Sequence, residues 1–255
     1  MAQDFAERVV VVTGASAGIG AALCEELSRR GARVVLAARR RDALEAVARR
    51  LGEAEVKVAD VTRRADVEAL LAAAVARFGG VDIWVNNAGR GISRPVAQLS
   101  DEDVDAMVRD NLKSALYGMQ AVLPHFRQRG RGVIVNVSSM LGRVPFATIR
   151  SAYSASKAAL NSLTETLRFD LARDYPGIRV VLVLPGVVAT DFGTNSLGGG
   201  PDSRFLPGAQ PVEEVARVIA DGLSAGRSDI YTRPDGLEVV TRHLRGLAGV
   251  EGRDS

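Results

Sequence analysis

The chain has 255 residues, 47% hydrophobic and 25% charged, an ordinary globular balance with enough apolar material for a sizeable core. Its 33 basic and 30 acidic residues leave a formal charge of +3, too even a balance for a nucleic-acid binder. A single cysteine, Cys24, excludes an intrachain disulfide and CxxC metal sites, the two histidines are too far apart in sequence to favour a triad or zinc site, and no apolar run approaches the ~18 residues of a membrane span.

The N-terminal MAQDFAER is acidic and polar where a signal peptide would be basic then apolar, so a cytoplasmic protein is expected. From there, short β-branched runs alternate with segments of helical period. Strands are expected at RVVVVTG from Arg8, ARVVLAA from Ala32, AEVKVAD from Ala54 and VDIWVNN from Val81. GVIVNVSS from Gly132 and IRVVLVLPG from Ile178 follow, with a weaker seventh at SDIYTRP from Ser228. The first, fifth and sixth are apolar almost throughout, as in a parallel sheet covered on both faces. GAALCEELSRRG and DALEAVARRLG read as helices, with Gly31 and Gly52 at their C-caps. Cys24 falls among Ala21, Leu23 and Leu27 as a core residue, and His125 and His243 read as helix-surface residues. The alternation implies a doubly wound α/β sheet in a single domain over 1–255. GTNSLGGGPDSRFLPG (193–208) is the one long irregular stretch, a plain surface loop or a mobile lid, and a substrate loop over 190–210 is expected.

Gly14, Gly18 and Gly20 fall at the turn from the first strand into the first helix. Glycine there lets the backbone turn tightly and approach a pyrophosphate, whose charge suits the helix N-terminus. The alternative is a tight structural turn. The end of the second strand selects the dinucleotide. An acid there would hold a ribose hydroxyl, whereas an arginine accommodates a 2′-phosphate. Here Ala37 and Ala38 end the strand, Arg39, Arg40 and Arg41 follow, and the first carboxylate is Asp42, within the next helix. NADP(H) is therefore expected, with Arg39 as the main clamp and Arg40 as its helper. A solvated cluster is the alternative, but a helix start is a poor place for cations without an anion nearby.

YSASK (153–157) sets a tyrosine four residues before a lysine. On a helix Tyr153 and Lys157 share a face. A neighbouring cation favours the phenolate and lowers a phenol's pKa by about 1–3, which would make Tyr153 usable as an acid–base group near neutral pH.

Together these segments resemble the short-chain dehydrogenase/reductase family in its compact, single-domain, Rossmann-like form, a parallel sheet of about seven strands with helices on both faces. TGASAGIG (13–20) is similar to its glycine motif, DV (60–61) to its adenine-contacting pair and NNAG (86–89) to its fourth-strand signature. Asn111, NVSS (136–139), YSASK and PGVVAT (185–190) complete the set in order. The resemblance implies an oxidoreductase interconverting a carbonyl and an alcohol. By it, Tyr153 exchanges the proton, Ser139 orients the substrate oxygen, and Lys157 also holds the nicotinamide ribose. Ser138 is the other candidate hydroxyl. Asn111 would position a relay water, or else cap or kink its helix. The implied cofactor contacts are Gly14, Ser16, Gly18, Ile19, Gly20, Asp60, Val61, Asn87, Ala88 and Gly89, then Tyr153, Lys157, Pro185, Gly186, the Val188 backbone and Thr190. Asp60 could instead cap the following helix.

The residues expected on the substrate side, Met140, Leu141, Val144, Phe146, Val187 and Phe192, are apolar and suit a small hydrophobic ketone, aldehyde or secondary alcohol. Arg90, Arg94, Arg143 and Arg150 flank the same loops and could receive an acidic group. Neither a metal nor a nucleic acid or membrane partner is expected. The family's habit of pairing helices around 102–128 and 152–174 implies a homodimer or homotetramer, although the chain lacks the VDGG-type ending of many tetrameric members. A regulator or scaffold that binds the cofactor without turnover, and a non-redox enzyme on the same fold, are the rival readings. Both tend to lose residues that this chain keeps.

Overall fold

Alternate valines of the first strand point to opposite faces, and this sets the layering. The computed structural model describes residues 4–247. In it β1 (Val9–Thr13) buries Val10 and Val12 in one cluster and Val9 and Val11 in another. The pattern continues through β2 (Arg33–Ala38), β3 (Ala54–Val58), β4 (Ile83–Asn86), β5 (Gly132–Val137), β6 (Ile178–Leu184) and β7 (Asp229–Tyr231). All expected strands form, and they pair in parallel in the order β3-β2-β1-β4-β5-β6-β7.

The helices are α1 (Gly18–Arg29), α2 (Arg41–Ala48), α3 (Arg64–Phe78), α4 (Asp101–Met107), α5 (Ser114–Arg129), α6 (Ser151–Ala172), α7 (Val212–Ser224) and α8 (Gly236–Leu247). One sheet face packs against α1, α2 and α7, with Leu23, Leu44 and Ile219 fully buried. The other packs against α3, α5 and α6, with Leu70, Phe126 and Leu160. Burying one such side chain is worth about 1.5–3 kcal/mol. An exposed ion pair is worth about 0–1 kcal/mol. The apolar rows, not the many surface arginine–carboxylate pairs, therefore hold the layers together.

The strand order reverses between β1 and β4. The chain leaves β1 through α1 on one face and enters β4 from α3 on the other, so a crevice opens at the C-terminal ends of these two strands. Among the described residues no helix is long and apolar enough to cross a membrane.

Three local expectations change. Gly31 follows α1 with φ +94°, as a helix-ending glycine should, but α2 ends at Ala48 and Gly52 lies beyond its cap with no positive φ. Gly52 instead donates its N–H to Ser28 Oγ at 3.0 Å. His125 is half-buried, not a surface residue, because its Nε2 accepts from the Val81 N–H at 3.1 Å. Burial and the nearby Arg129 hold its pKa down, so the ring stays a neutral acceptor. Finally, the segment around 102–128 is not one α-helix: α4 and α5 are joined by a π-helical turn over Val108–Lys113. Cys24 is fully buried, and burial pushes its thiol far above the ordinary range, as fits a core residue.

Candidate active site

The crevice is built first from backbone. Gly14 and Gly18 adopt φ +67° and +55°, in the left-handed region that side chains disfavour. A Cβ on Gly14 would lie 2.9 Å from Ala88 Cα, and one on Gly20 2.4 Å from Gly14 O. The turn is thus pressed against the segment after β4. Asn87 ties the two: its Nδ2 donates to Thr13 O at 2.9 Å and Gly14 O at 3.3 Å, while its N–H donates to Thr13 Oγ1 at 3.0 Å. Thr190 closes the third side, its Cγ2 lying 3.3 Å from where a Gly18 Cβ would stand. Ser16 stays partly exposed on the turn, and Ile19 packs inward against the core. A narrow cradle free of side chains, at the start of α1, fits a pyrophosphate.

Arg39 and Arg40 are exposed just past the end of β2. Arg40 Nη2 reaches back to Ser16 Oγ at 3.4 Å, and Arg41 turns away to Glu45 at 3.6 Å. Asp60 stands two residues beyond β3 rather than at its end, and its Oδ1 accepts from the Thr62 N–H and hydroxyl at 3.0 and 2.7 Å. Burial would raise its pKa, but the Thr62 hydrogen bonds, Arg39 and Arg63 outweigh it and hold the carboxyl low. It does not cap α3, whose N-cap is Arg63; Val61 packs partly against the core.

The chemistry-bearing segment follows β5. A buried polar ladder runs from Trp84 Nε1 to Asn86 Oδ1, from Asn86 Nδ2 to Asn136 Oδ1, and from Asn136 Nδ2 to Thr164 Oγ1, at 2.8, 2.8 and 2.9 Å. Ser138 Oγ donates to Asn161 Oδ1 at 2.5 Å. These bonds lock α6 onto the sheet and commit Ser138 to that task. Ser139 remains, its Oγ accepting from the Leu141 N–H at 3.1 Å and its hydroxyl opposing the rise in the Tyr153 phenol's pKa. Lys157, on the same helix face, has its Nζ 5.7 Å from the Tyr153 ring centroid and donates to Val137 O at 2.8 Å. Asn111, in the π-helical turn, accepts from Arg90 N–H and donates to Arg90 O, each at 2.9 Å. A Cβ on Gly89 would lie 2.7 Å from Asn111 Oδ1 and 3.5 Å from Lys157 Nζ, so the three converge on one point.

This geometry can be placed among known proteins. Residues 8–197 match the family model for short chain dehydrogenase. The chain belongs to that family. An uncharacterized oxidoreductase of Staphylococcus epidermidis is 39% identical over 194 residues, which is 73% of this chain and 83% of that protein. One of Staphylococcus aureus is 38% identical over 232 residues, 89% and 97% of the two chains. Among solved structures, a short-chain dehydrogenase from Sphingobium yanoikuyae in complex with NADPH is 30% identical with a TM-score of 0.80 over 97% of each chain. A short chain dehydrogenase/reductase from Burkholderia phymatum in complex with NAD is 26% identical with a TM-score of 0.87 over 96% of each.

Electrostatics in this short chain dehydrogenase depart from the simple tyrosine–lysine expectation. Burial pushes the Tyr153 phenol up to about 12, against the opposing pulls of the Ser139 hydrogen bond and the Arg150 charge. Burial also pushes the Lys157 ammonium down to about 8. A phenol lowered by its lysine is therefore not what the protein alone presents. The reason is an apolar collar of Ile92, Leu99, Met107, Leu141, Phe192 and Leu197 packed around Tyr153, which penalises the phenolate.

The collar also revises the substrate side. Leu141 and Phe192 belong to it, with the two rings of Tyr153 and Phe192 5.4 Å apart. Met140 and Val144 instead pack with Leu182, Leu184 and Val240 under α8, and Phe146 is 64% exposed. Val187 is half-buried at the strand exit, where Pro185 O accepts from the Met140 N–H at 2.9 Å and Gly186 abuts Arg233. The Val188 carbonyl accepts weakly from the Thr190 hydroxyl at 3.5 Å. Ile92, Leu99 and Met107 escaped sequence reasoning because each lies in a segment with no diagnostic spacing, whereas Leu197 falls within the 190–210 stretch expected as a substrate loop. Of the four arginines, Arg143 is paired with Glu165 and Asp229, and Arg94 with Asp103. Arg90 is exposed and Arg150 buried.

Proposed function

We propose that this short chain dehydrogenase uses NADP(H) to interconvert a carbonyl and an alcohol on a small hydrophobic substrate. The observation that carries the reading is the convergence of Ser139, Tyr153 and Lys157 inside an apolar collar beside the glycine cradle. Gly14, Ser16, Gly18, Ile19 and Gly20 would hold the pyrophosphate and ribose, with Arg39 and Arg40 on the 2′-phosphate. Asp60 and Val61 would border the adenine. Asn87, Ala88, Gly89, Pro185, Gly186, Val188 and Thr190 would shape the nicotinamide end, with Lys157 on its ribose. The nicotinamide supplies or accepts the hydride and, when oxidised, adds a positive charge to the site.

The protein's own part is the proton. In reduction the Tyr153 O–H bond breaks and its proton goes to the carbonyl oxygen as that oxygen becomes an alcohol. Ser139 donates a hydrogen bond to the same oxygen and stabilises its developing charge. In oxidation the phenolate takes the hydroxyl proton back. Asn111 fixes the Arg90 backbone beside Lys157 and would steady a water leading from Lys157 to solvent.

Loss of reduced-nicotinamide absorbance, followed with NADPH and NADH against a panel of hydrophobic ketones and aldehydes, tests the reading. NADPH-linked turnover is expected; tight NADPH binding without turnover of any of them would favour a scaffold. Because burial keeps the phenol protonated, reduction should run well near neutral pH. Alcohol oxidation, which needs the phenolate, should accelerate as pH rises from about 7 towards about 10. An oxidation rate falling across that range would reject Tyr153 as the base.

A homodimer or homotetramer belongs to the same proposal. The outer side of α6 leaves Phe169 80% and Leu163 36% exposed, an apolar surface suited to a second copy. Light scattering should give a multiple of the chain mass, and Phe169→Glu should shift it towards the single chain. A monomeric wild type would refute this.

A further inference from the structure

Among the described residues, Arg150 is a buried cation with no acid to meet it. It stands at the residue before α6, one turn ahead of Tyr153, with only 9% of its surface exposed. Burial draws its pKa down, and among the described residues no carboxylate counters that pull. The position is a costly one for a charge, since the start of a helix already presents the positive end of its dipole.

Its hydrogen bonds join three segments. Nη1 donates to Ile92 O at 3.1 Å and to Ser196 Oγ at 2.6 Å. Ile92 follows β4, and Ser196 lies in the loop after β6. These two segments also pair directly: Ser93 N–H donates to Leu197 O at 2.8 Å and Leu197 N–H to Gly91 O at 2.9 Å. The surroundings are cut to the guanidinium. A Cβ on Gly91 would fall 3.0 Å from Nη1, and one on Gly200 3.1 Å from Nη2. Phe192 touches both partners, its ring centroid 6.0 Å from the guanidinium carbon and 5.4 Å from the Tyr153 ring.

We propose that Arg150 is a positioning residue: it supplies the fixed positive charge under which Tyr153 releases its proton, and it holds the loop after β6 against the segment after β4. The inference rests on the reading of Tyr153 as the acid–base group. The other charged groups around that site are Lys157 on α6, Arg90 and Arg94 after β4, Asp110 in the π-helical turn and Asp191 after β6. Arg94, Asp110 and Asp191 are answered locally by Asp103, Arg109 and Arg204, at 3.1, 2.9 and 3.3 Å. Lys157 directs a hydrogen to Val137 O, and burial draws its ammonium down to about 8, so it is neutral where the phenol titrates. Arg150 is the buried charge left to act on the phenol.

Charge and hydrogen bonding can be separated. Arg150→Gln keeps a donor without the charge, Arg150→Lys places there a buried ammonium that is neutral before the phenol titrates, and Ser196→Ala removes one loop contact and leaves the charge in place. Tyrosinate absorbance of the NADP⁺-saturated protein, taken as the difference between each form and its Tyr153→Phe counterpart, reports Tyr153 alone. The midpoint should rise by about half a unit to one unit in Arg150→Gln and in Arg150→Lys, and stay within about 0.3 of wild type in Ser196→Ala. Limited proteolysis should cut the loop after β6 faster in Ser196→Ala and Arg150→Gln. An unchanged midpoint in Arg150→Gln or in Arg150→Lys overturns the proposal, as does a phenol that never titrates below the alkaline unfolding limit. Should Arg150→Gln fail to fold, the lysine variant carries the same comparison. Activity of Tyr153→Phe separates the two readings. If it is active the parent assignment fails, and if it is inactive while the Arg150→Gln midpoint stays put, only the role of Arg150 fails.

Discussion

Tyr153→Phe is expected to lower turnover by about 10²–10⁴-fold while leaving NADPH binding within about threefold of wild type. The substitution deletes one oxygen. The phenyl ring keeps its place among Ile92, Met107, Leu141 and Phe192, so the collar stays filled. Ser139 loses a partner but keeps the Leu141 N–H, so the local cost is about 1 kcal/mol, too small to disorder the site. No cofactor contact passes through the lost hydroxyl except at the nicotinamide end, and the glycine cradle and arginines are remote from it. The loss should therefore appear in kcat and not in cofactor affinity. Fluorescence titration with NADPH and initial rates with a ketone that the wild type reduces would measure both. Half of wild-type turnover in the variant would remove Tyr153 from the mechanism, and a matching loss of NADPH affinity would recast it as a binding residue.

The fold was legible because its signals are local. The central strands β1, β5 and β6 are runs rich in β-branched residues, and the alternation of Val9 to Val12 between two core clusters is a matter of strand geometry alone. The glycine turn was legible because Gly14, Gly18 and Gly20 are close in sequence, the first two taking a positive φ and the third having no room for a Cβ. The site's electrostatics were not. Four-residue spacing says that Tyr153 and Lys157 share a face, but not what dielectric surrounds them. That dielectric is set by Ile92, Leu99, Met107, Leu141 and Leu197, which come from separate segments. The resemblance already favours Ser139 over Ser138, but the physical ground for that preference is not in the sequence. Only in the fold does Asn161, on a helix far along the chain, claim the Ser138 hydroxyl. The fate of Arg150 depends on Ile92 and Ser196, which no pattern links to it.

Replacing the two exposed arginines past β2 should reverse the choice of dinucleotide. In Arg39→Asp combined with Arg40→Ala, kcat/KM with NADPH is expected to fall by about 100-fold or more, while that with NADH changes by less than about fivefold or improves. A hydrogen bond to a charged group is worth about 1.5–3 kcal/mol, so losing even one phosphate contact costs about tenfold to 150-fold. The new carboxylate would repel the 2′-phosphate and could accept from a ribose hydroxyl instead, the arrangement that favours NAD. Single variants divide the clamp. Arg40 already reaches Ser16 on the glycine turn at 3.4 Å, whereas Arg39 lies where its charge is felt by Asp60. If the phosphate is gripped from the turn side, Arg40→Ala will carry most of the loss; if from the strand side, Arg39→Ala will. Arg41 is the internal control, because it pairs with Glu45 at 3.6 Å and should be neutral to substitution. Raising ionic strength should weaken NADPH more than NADH in the wild type and lose that difference in the double variant. Parallel losses with both dinucleotides would mean only a general basic attraction at the crevice mouth, and an unaltered preference would leave these arginines as solvated helix-start residues.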